Sequence, residues 1–469
     1  MAPSRPPHDA ARRLKPTSPL DMPGPTAPDT FEHARRSFVD GNAAFAAGRL
    51  AEAEACFRAS LQALPGRPST VANLALTLQG LGREREALAL LDETLAAQPG
   101  EAALWSLRGG VLDALDQPAE ALASHERALA LEPQRAQDHF HAGTLLLRLG
   151  RPAQALAALE SACAGADAPA VAHHRRGQAL LALERRDDAL AAWDRALARD
   201  ATCVDAWADR GTLMHERGQD AEAVRCFEQA RAHGGDAALM DYQIAGLAAA
   251  RARGAASALP MPASAPRSYV QNLFDRYAAD FDQHLVGQLG YRAPEELAAG
   301  LARLGRTHFR HALDLGCGTG LCAAPLGAFV TRLDGVDLSA GMLERARALG
   351  RYDRLAQADI VEHLAATPWR HDLVVAADLF IYVGRLEGVF AGVRRVLEPG
   401  GLFCFSVEHL DDAAGDCTLQ PSLRYAHSAA YLRRLAAGQG FAIAALEERP
   451  LRRDERAPVR GLYAWLSAP

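Results

Sequence analysis

The residues in this chain with the clearest chemical potential are one glycine loop and a set of carboxylates. The stretch His311-Ala-Leu-Asp-Leu-Gly-Cys-Gly-Thr-Gly-Leu-Cys-Ala-Ala324 runs a short apolar segment into a Gly-x-Gly-x-Gly turn. A strand that passes its chain to a helix beside a bound cofactor has this form, because glycine lets backbone approach a ligand with no Cβ in the way. Counted two residues later, Gly318-x-Gly320-x-x-Ala323 also fits the dinucleotide fingerprint. The surrounding acids decide between the two. Asp314 stands two residues before the first glycine, and Asp337, Asp359 and Asp378 each follow a further apolar segment. A dinucleotide loop receives a pyrophosphate, which Asp314 would repel.

S-adenosylmethionine (SAM) has no phosphate. It offers an ammonium, a sulfonium, a ribose diol and an adenine amino group, each of which a carboxylate can satisfy. Asp337 suits the two ribose hydroxyls, Asp359 the adenine N6 amino group, and Asp314 the ammonium end.

These acids need a sheet that brings them to one edge. From Ser268 onward, strand-like runs alternate with helical ones, the pattern of a mainly parallel sheet with helices on both faces. Seven strands are expected at Ala312–Leu315, Arg332–Val336, Arg354–Ala358, Leu373–Ala377, Gly401–Val407, Phe441–Leu446 and Gly461–Leu466, the last two as an antiparallel hairpin. Helices are expected at Ala340–Leu349 and Leu386–Leu397. Ligands of such sheets bind beyond the carboxyl ends of the strands, where the four acids fall.

In these residues the chain resembles the class I SAM-dependent methyltransferases. Asp314-Leu-Gly-Cys-Gly-Thr-Gly320 is similar to their first motif, Gly335-Val-Asp337-Leu-Ser to the second and Gln357-Ala-Asp359-Ile to the third. Val396-Leu-Glu-Pro-Gly-Gly401 is similar to the turn into their fifth strand. The resemblance implies a Rossmann-like α/β domain over 268–469. It implies SAM contacts at Gly316, Gly318, Asp337 and Asp359, with Asp314, Gly320, Leu338 and Ile360 beside them in the same motifs. In similar enzymes the segment Tyr269–His284 folds over the cofactor, which would let Tyr277 close the site. Its stripe of Val270, Phe274, Tyr277 and Phe281 also suits core packing.

Methyl transfer from a sulfonium is an in-line displacement with a neutral leaving group, so alignment and exclusion of water matter most. A base is needed only where the nucleophile must lose a proton. Three residues are candidates for catalysis: Asp378 and Tyr382 after the fourth strand, and His427, a base suited to neutral pH. Helix-start and local hydrogen-bonding roles are the alternatives for Asp378 and His427. Cys317 and Cys322 flank the loop with no evident partner base and are read as packing residues.

The half of the chain before the loop repeats every 34 residues. Gly41, Ala75, Gly109, Gly143, Gly177 and Gly211 share one position of the grid, and Ala53, Ala87, Ala121, Ala155, Ala189 and Ala223 share another. Four residues after each alanine stands a bulky residue: Phe57, Leu91, His125, Leu159, Trp193 and Phe227. Small residues let paired helices approach, and each pair leaves an apolar face for the next to bury. Gly48, Gly82, Gly150 and Gly218 fall where the pair must turn. The pattern resembles the tetratricopeptide repeat (TPR), which implies an all-α solenoid of six repeats over about 34–235 with Asp236–Arg251 as a capping helix. Its groove would take a protein or peptide partner, lined by Phe38, Asn42, Phe140, Thr144, His174 and Gln178. Without lysine there, a clamp for a C-terminal carboxylate is not expected.

The expected domains are therefore a disordered Pro-rich tail (1–30), a TPR superhelix (31–252), a small-residue linker (253–267) and a SAM-dependent methyltransferase domain (268–469). Net charge of −6 argues against nucleic acid as a partner, and the basic runs Arg394-Arg395 and Arg452-Arg453 read as solvated faces. Lysine occurs once, at Lys15, which excludes Schiff-base and P-loop chemistry. No signal peptide or membrane-spanning run is found. The eight cysteines have no zinc spacing, and His308-x-x-His311 and His173-His174 are not read as ligands, so no metal is expected. Reduced thiols suit the cytoplasm. The expected function is transfer of methyl from SAM to an acceptor the sequence does not name. The alternative is a TPR interaction scaffold whose methyltransferase fold binds SAM without catalysis.

Overall fold

A computed structural model describes residues 28–251, 261–278, 281–454 and 457–469. Nearly all of the expected 1–30 tail, and more than half of the 253–267 linker, lie outside the described residues. The chain forms two compact units, Met1–Leu213 and Met214–Pro469.

The first unit is helical. Its elements are α1 (Pro28–Ala46), α2 (Leu50–Ala63), α3 (Pro68–Gly80), α4 (Glu84–Ala97), α5 (Ala102–Ala114), α6 (Pro118–Leu131), α7 (Ala136–Arg148), α8 (Pro152–Ala162), α9 (Ala170–Ala182) and α10 (Arg186–Arg199). The unit ends within α11 (Val204–Glu216). α1 to α10 pack as five successive pairs. The 34-residue grid has a direct steric cause. A Cβ on Gly41, Gly109, Gly143 or Gly177 would stand 2.6 Å from Phe57, 2.5 Å from His125, 2.5 Å from Leu159 and 2.2 Å from Trp193 respectively. Each glycine is thus the seat of the bulky residue of its own repeat.

The turn position carries a second regularity. Gly48, Gly82 and Gly150 have φ near +70°, and the same place is held by Asp116 (φ +56°) and Glu184 (φ +59°). The repeat imposes the left-handed conformation even where the residue opposes it. The expected groove lining is revised in part. Phe38 and His174 are both 2% exposed, packed in the interior, and His174 Nε2 lies 2.8 Å from Asp209.

The second unit opens with α12 (Asp220–Ala232) and α13 (Ala237–Arg251). Tyr242 of α13 is fully buried and donates to the Leu423 carbonyl at 2.5 Å, so this helix folds against the α/β domain. Then come α14 (Arg267–Tyr277), a π-helical turn (Gln283–Gln288) and α15 (Ala293–Arg303). The sheet follows as β1 (Phe309–Leu315), α16 (Ala323–Leu326), β2 (Val330–Asp337), α17 (Ala340–Ala348), β3 (Arg354–Gln357), α18 (Ile360–Ala366), β4 (His371–Ala376), α19 (Glu387–Val396) and β5 (Leu397–Leu410). It closes with β6 (Cys417–Leu419), β7 (Tyr425–Ser428), α20 (Ala429–Gly438), β8 (Ala442–Asp454) and β9 (Ala457–Ser467).

β3, β2, β1, β4 and β5 are neighbours in that order and parallel, while β9 joins β5 antiparallel and β8 joins β9. Among the described residues the sheet has nine strands rather than the seven expected. The additional two, β6 and β7, are three and four residues long, too short to leave a periodic signal. They exist because β5 outruns β4: β4 pairs with β5 as far as Phe405, and on that same edge, opposite β9, Glu408–Leu410 go on to pair with β7. Helices α18, α19 and α20 seal one apolar face and α15 and α16 the other. Both faces being covered leaves the carboxyl ends of the strands as the place for a ligand.

Candidate active site

At those ends lies a cavity of about 1030 Å³. Its floor is the glycine loop. Gly316 and Gly318 have φ of +66° and +54°, a region in which a side chain is strained. A Cβ on Gly316 would meet Leu379 at 2.6 Å, whereas beside Gly318 the space is open, so Gly318 is where backbone faces a ligand. Its N–H donates to Asp337 Oδ2 at 2.9 Å, and the Ser339 N–H donates to Asp337 Oδ1 at 2.9 Å. Asp337 therefore fixes the loop and still keeps lone pairs on the cavity side. Burial raises its pKa, against the backbone hydrogen bonds that lower it.

Leu338, Asp359 and Ile360 also line the cavity. Asp359 caps α18, accepting from Val361 N at 2.9 Å and Glu362 N at 3.1 Å, and its Oδ2 lies 3.4 Å from Arg267 Nε. That arginine, half-exposed at the start of α14, occupies an oxygen assigned above to the adenine amino group. Asp314 and Gly320 do not line the cavity. Asp314 is fully buried beneath the loop, accepts from the Tyr352 hydroxyl at 2.8 Å and is pushed up to about 7 by burial. Held there, it supports the loop from below, which corrects its expected place at the ammonium end. A Cβ on Gly320 would meet Leu349 at 2.6 Å, so that glycine makes room for packing.

α14 covers the cavity. Val270, Phe274 and Phe281 line it, and the Phe274 ring meets Tyr382 edge-on at 5.5 Å. Tyr277 ends α14, but its side chain lies outside the described residues. Thr319 of the loop is bonded to Asp282, tying the segment after α14 to the glycines.

The opposite wall carries Asp378, Tyr382, Arg424 and Arg452. Asp378 has φ +54° and accepts from Arg452 Nη1 at 2.7 Å, while its Oδ1 is buried without a partner. Arg452 is 3% exposed and also binds Glu408. The reading of Arg452 as part of a solvated basic run is thereby overturned: β8 is long enough to carry it inward between two acids. Arg395, from the other such run, binds the Leu364 and Thr367 carbonyls at the end of α18. Burial pushes the Tyr382 phenol up to about 12, with Arg424 opposing, so it stays a neutral donor. His427 is corrected. It is fully buried on β7, its Nε2 is 3.0 Å from the carbonyls of both Val383 and Gly384, and burial lowers it to about 4. It holds the segment after β4 and does not line the cavity.

The donor set fits SAM: a glycine edge open to backbone contact, an acid at the end of each of β2 and β3, and an aromatic cover. Sequence reasoning missed Arg424 and Arg452, since neither lies in a motif: Arg424 stands one residue before β7, and Arg452 is one of several charged residues of β8.

Residues 313–405 match the family model of a methyltransferase domain, and residues 44–110 match that of the tetratricopeptide repeat. The chain thus joins a TPR region to a methyltransferase domain. Among curated proteins, it is 37% identical over 141 residues to human methyltransferase-like protein 27, covering 29% of this chain and 56% of the relative. It is 38% identical over 148 residues to a malonyl-[acyl-carrier protein] O-methyltransferase of Geobacter sulfurreducens, covering 30% and 53%. The chain spans about half the length of these relatives. A solved tetratricopeptide repeat protein of Parabacteroides merdae is 16% identical with a TM-score of 0.40, covering 47% of this chain and 88% of that one. Among the described residues no helix is long and apolar enough to cross a membrane.

Proposed function

We propose that the chain is a SAM-dependent methyltransferase whose TPR array recruits a protein or peptide partner. The observation that carries this reading is the cavity edged by Gly316, Gly318, Asp337 and Asp359, in which acids rather than cations border the glycine loop. SAM, when bound, supplies a methyl activated by a sulfonium. The residues of this chain bind and align: Gly318 presents backbone, Asp337 accepts hydroxyls, and Phe274 and Phe281 exclude water.

The acceptor wall supports a further statement. Arg452 is neutralised by Asp378 and Glu408. Arg424 lines the same wall, contacts Tyr382 and forms no ion pair among the described residues. An acceptor bearing an anionic group, such as a carboxylate, suits that arginine, with Tyr382 as neighbouring donor. The relative from Geobacter sulfurreducens is named for an acyl-carrier substrate, and O-methylation of an acid is accordingly the first chemistry to test here. None of the eight cysteines, all of them described residues, is in a disulfide, which supports a cytoplasmic setting.

Calorimetric titration of the full chain with SAM, S-adenosylhomocysteine and NAD tests the cofactor. Binding of the first two is expected, and binding of NAD alone overturns the reading. Transfer of labelled methyl from SAM to a panel of carboxylic acids and thioesters tests the chemistry. SAM binding with no transfer to any panel member or lysate component would return the scaffold alternative.

A further inference from the structure

We propose that His311, Asp334 and His371 form a binding site for one divalent transition-metal ion of the zinc type, separate from the cavity. None of the three lines the cavity. His311 lies on β1, Asp334 on β2 and His371 opens β4, and β1 pairs with both of the other strands, so three adjacent backbones hold the ligands. His311 Nε2 is 2.8 Å from Asp334 Oδ2, and His371 Nε2 is 3.9 Å from the same oxygen. The two imidazole rings are 4.3 Å apart. One ligand atom from each residue lies within 4.8 Å of the others, a spread that small side-chain rotations close to the edge of a coordination tetrahedron.

The second observation is unmet bonding capacity. Both ring nitrogens of His371 and Asp334 Oδ1 are buried without hydrogen-bond partners, and the two residues are 1% and 6% exposed. Buried polar groups are nearly always satisfied. A sheet interior that wanted only a ring here would be served by phenylalanine. An ion drawing on His371 Nε2 and on Asp334 gives these atoms a partner. Two imidazoles and a carboxylate are a zinc donor set, and water or His363 on α18, which lies within electrostatic reach of His371 and Asp334, would supply the fourth ligand. The three residues are far apart in sequence, which is why no ligand spacing announced them.

The test uses the full chain, stripped with chelator and titrated with Co2+ and then Zn2+. One equivalent of Co2+ with tetrahedral d–d absorption, displaced by Zn2+, is expected, together with a rise in Tm on adding Zn2+. H371F and D334N should each weaken that equivalent by at least about 100-fold and abolish the Tm rise, while circular dichroism and SAM titration remain as in the wild type. H308Q serves as the control and should bind as the wild type does. Absence of a stoichiometric equivalent in the wild type overturns the proposal and leaves a hydrogen-bonded cluster. Binding that persists undiminished in both folded variants also overturns it, by placing the ion elsewhere, for instance on the cysteines.

Discussion

Gly318 and Asp337 are bonded to each other: the amide of the second loop glycine donates to the carboxylate that ends β2, at 2.9 Å. The two motifs that edge the cavity are therefore one structural unit, and a change in either is felt in the loop.

Substitution D337A removes both the acceptor facing the cavity and the anchor of the loop. Loss of a hydrogen bond to a charged group is worth about 1.5–3 kcal/mol, so SAM affinity should fall by roughly 10- to 100-fold, read by calorimetry. Undiminished binding would remove Asp337 from the cofactor site.

Arg267 competes for Asp359. Its guanidinium is 3.4 Å from Asp359 and also pairs with Glu362, with the arginine half-exposed. An exposed pair of this kind contributes about 0–1 kcal/mol. R267A should therefore leave stability nearly unchanged and raise SAM affinity by about threefold, because the freed carboxylate becomes available. A tenfold fall instead would make Arg267 a ligand-binding residue.

In the helical unit, two substitutions should move stability in opposite directions. G177A places a Cβ 2.2 Å from the buried Trp193 ring, and overpacking of this kind costs about 1–3 kcal/mol. E184G relieves a left-handed glutamate at φ +59° and should stabilise by about 0.5–1 kcal/mol after the extra chain entropy of glycine is counted. Denaturant unfolding of each variant checks both signs.

Asp314 predicts a pH dependence. Burial pushes its carboxyl up to about 7. Across the window from the ordinary carboxylate range to pH 7 the folded protein holds a proton that the unfolded chain has released. The unfolded state binds fewer protons, so this group lowers stability as pH rises through the window. D314N keeps an acceptor for the Tyr352 hydroxyl and never ionises. Its stability relative to wild type should rise between pH 4 and 7 and level off above, measured by thermal unfolding at each pH.

The repeat was legible because one steric event, a bulky residue seated on a small one, recurs on the 34-residue grid, with glycine as the seat at Gly41, Gly109, Gly143 and Gly177, and prints itself on the sequence. The glycine loop and the acids after β1 to β4 were legible for a related reason: strand, turn and ligand edge are contiguous in the chain. What each acid does was not. Asp337 and Asp359 line the cavity while Asp314 lies beneath it: Asp314 pairs with Gly335, two residues before Asp337 on the same face, and is covered by Tyr352, whereas Asp337 ends β2 and Asp359 caps α18. His427 read as a base and lies on a short strand, its ring spent on two carbonyls.

Sequence alone determined the two kinds of fold and the edge at which a cofactor would sit, because those follow from local periodicity and from glycine's freedom near a turn. Tertiary structure decided which charges are spent and which are free. Arg452 became a neutralised bridge between Asp378 and Glu408, Arg424 was left facing the cavity, and His311, Asp334 and His371 were gathered from three strands. Those pairings depend on strand order and register, which place residues remote in sequence side by side.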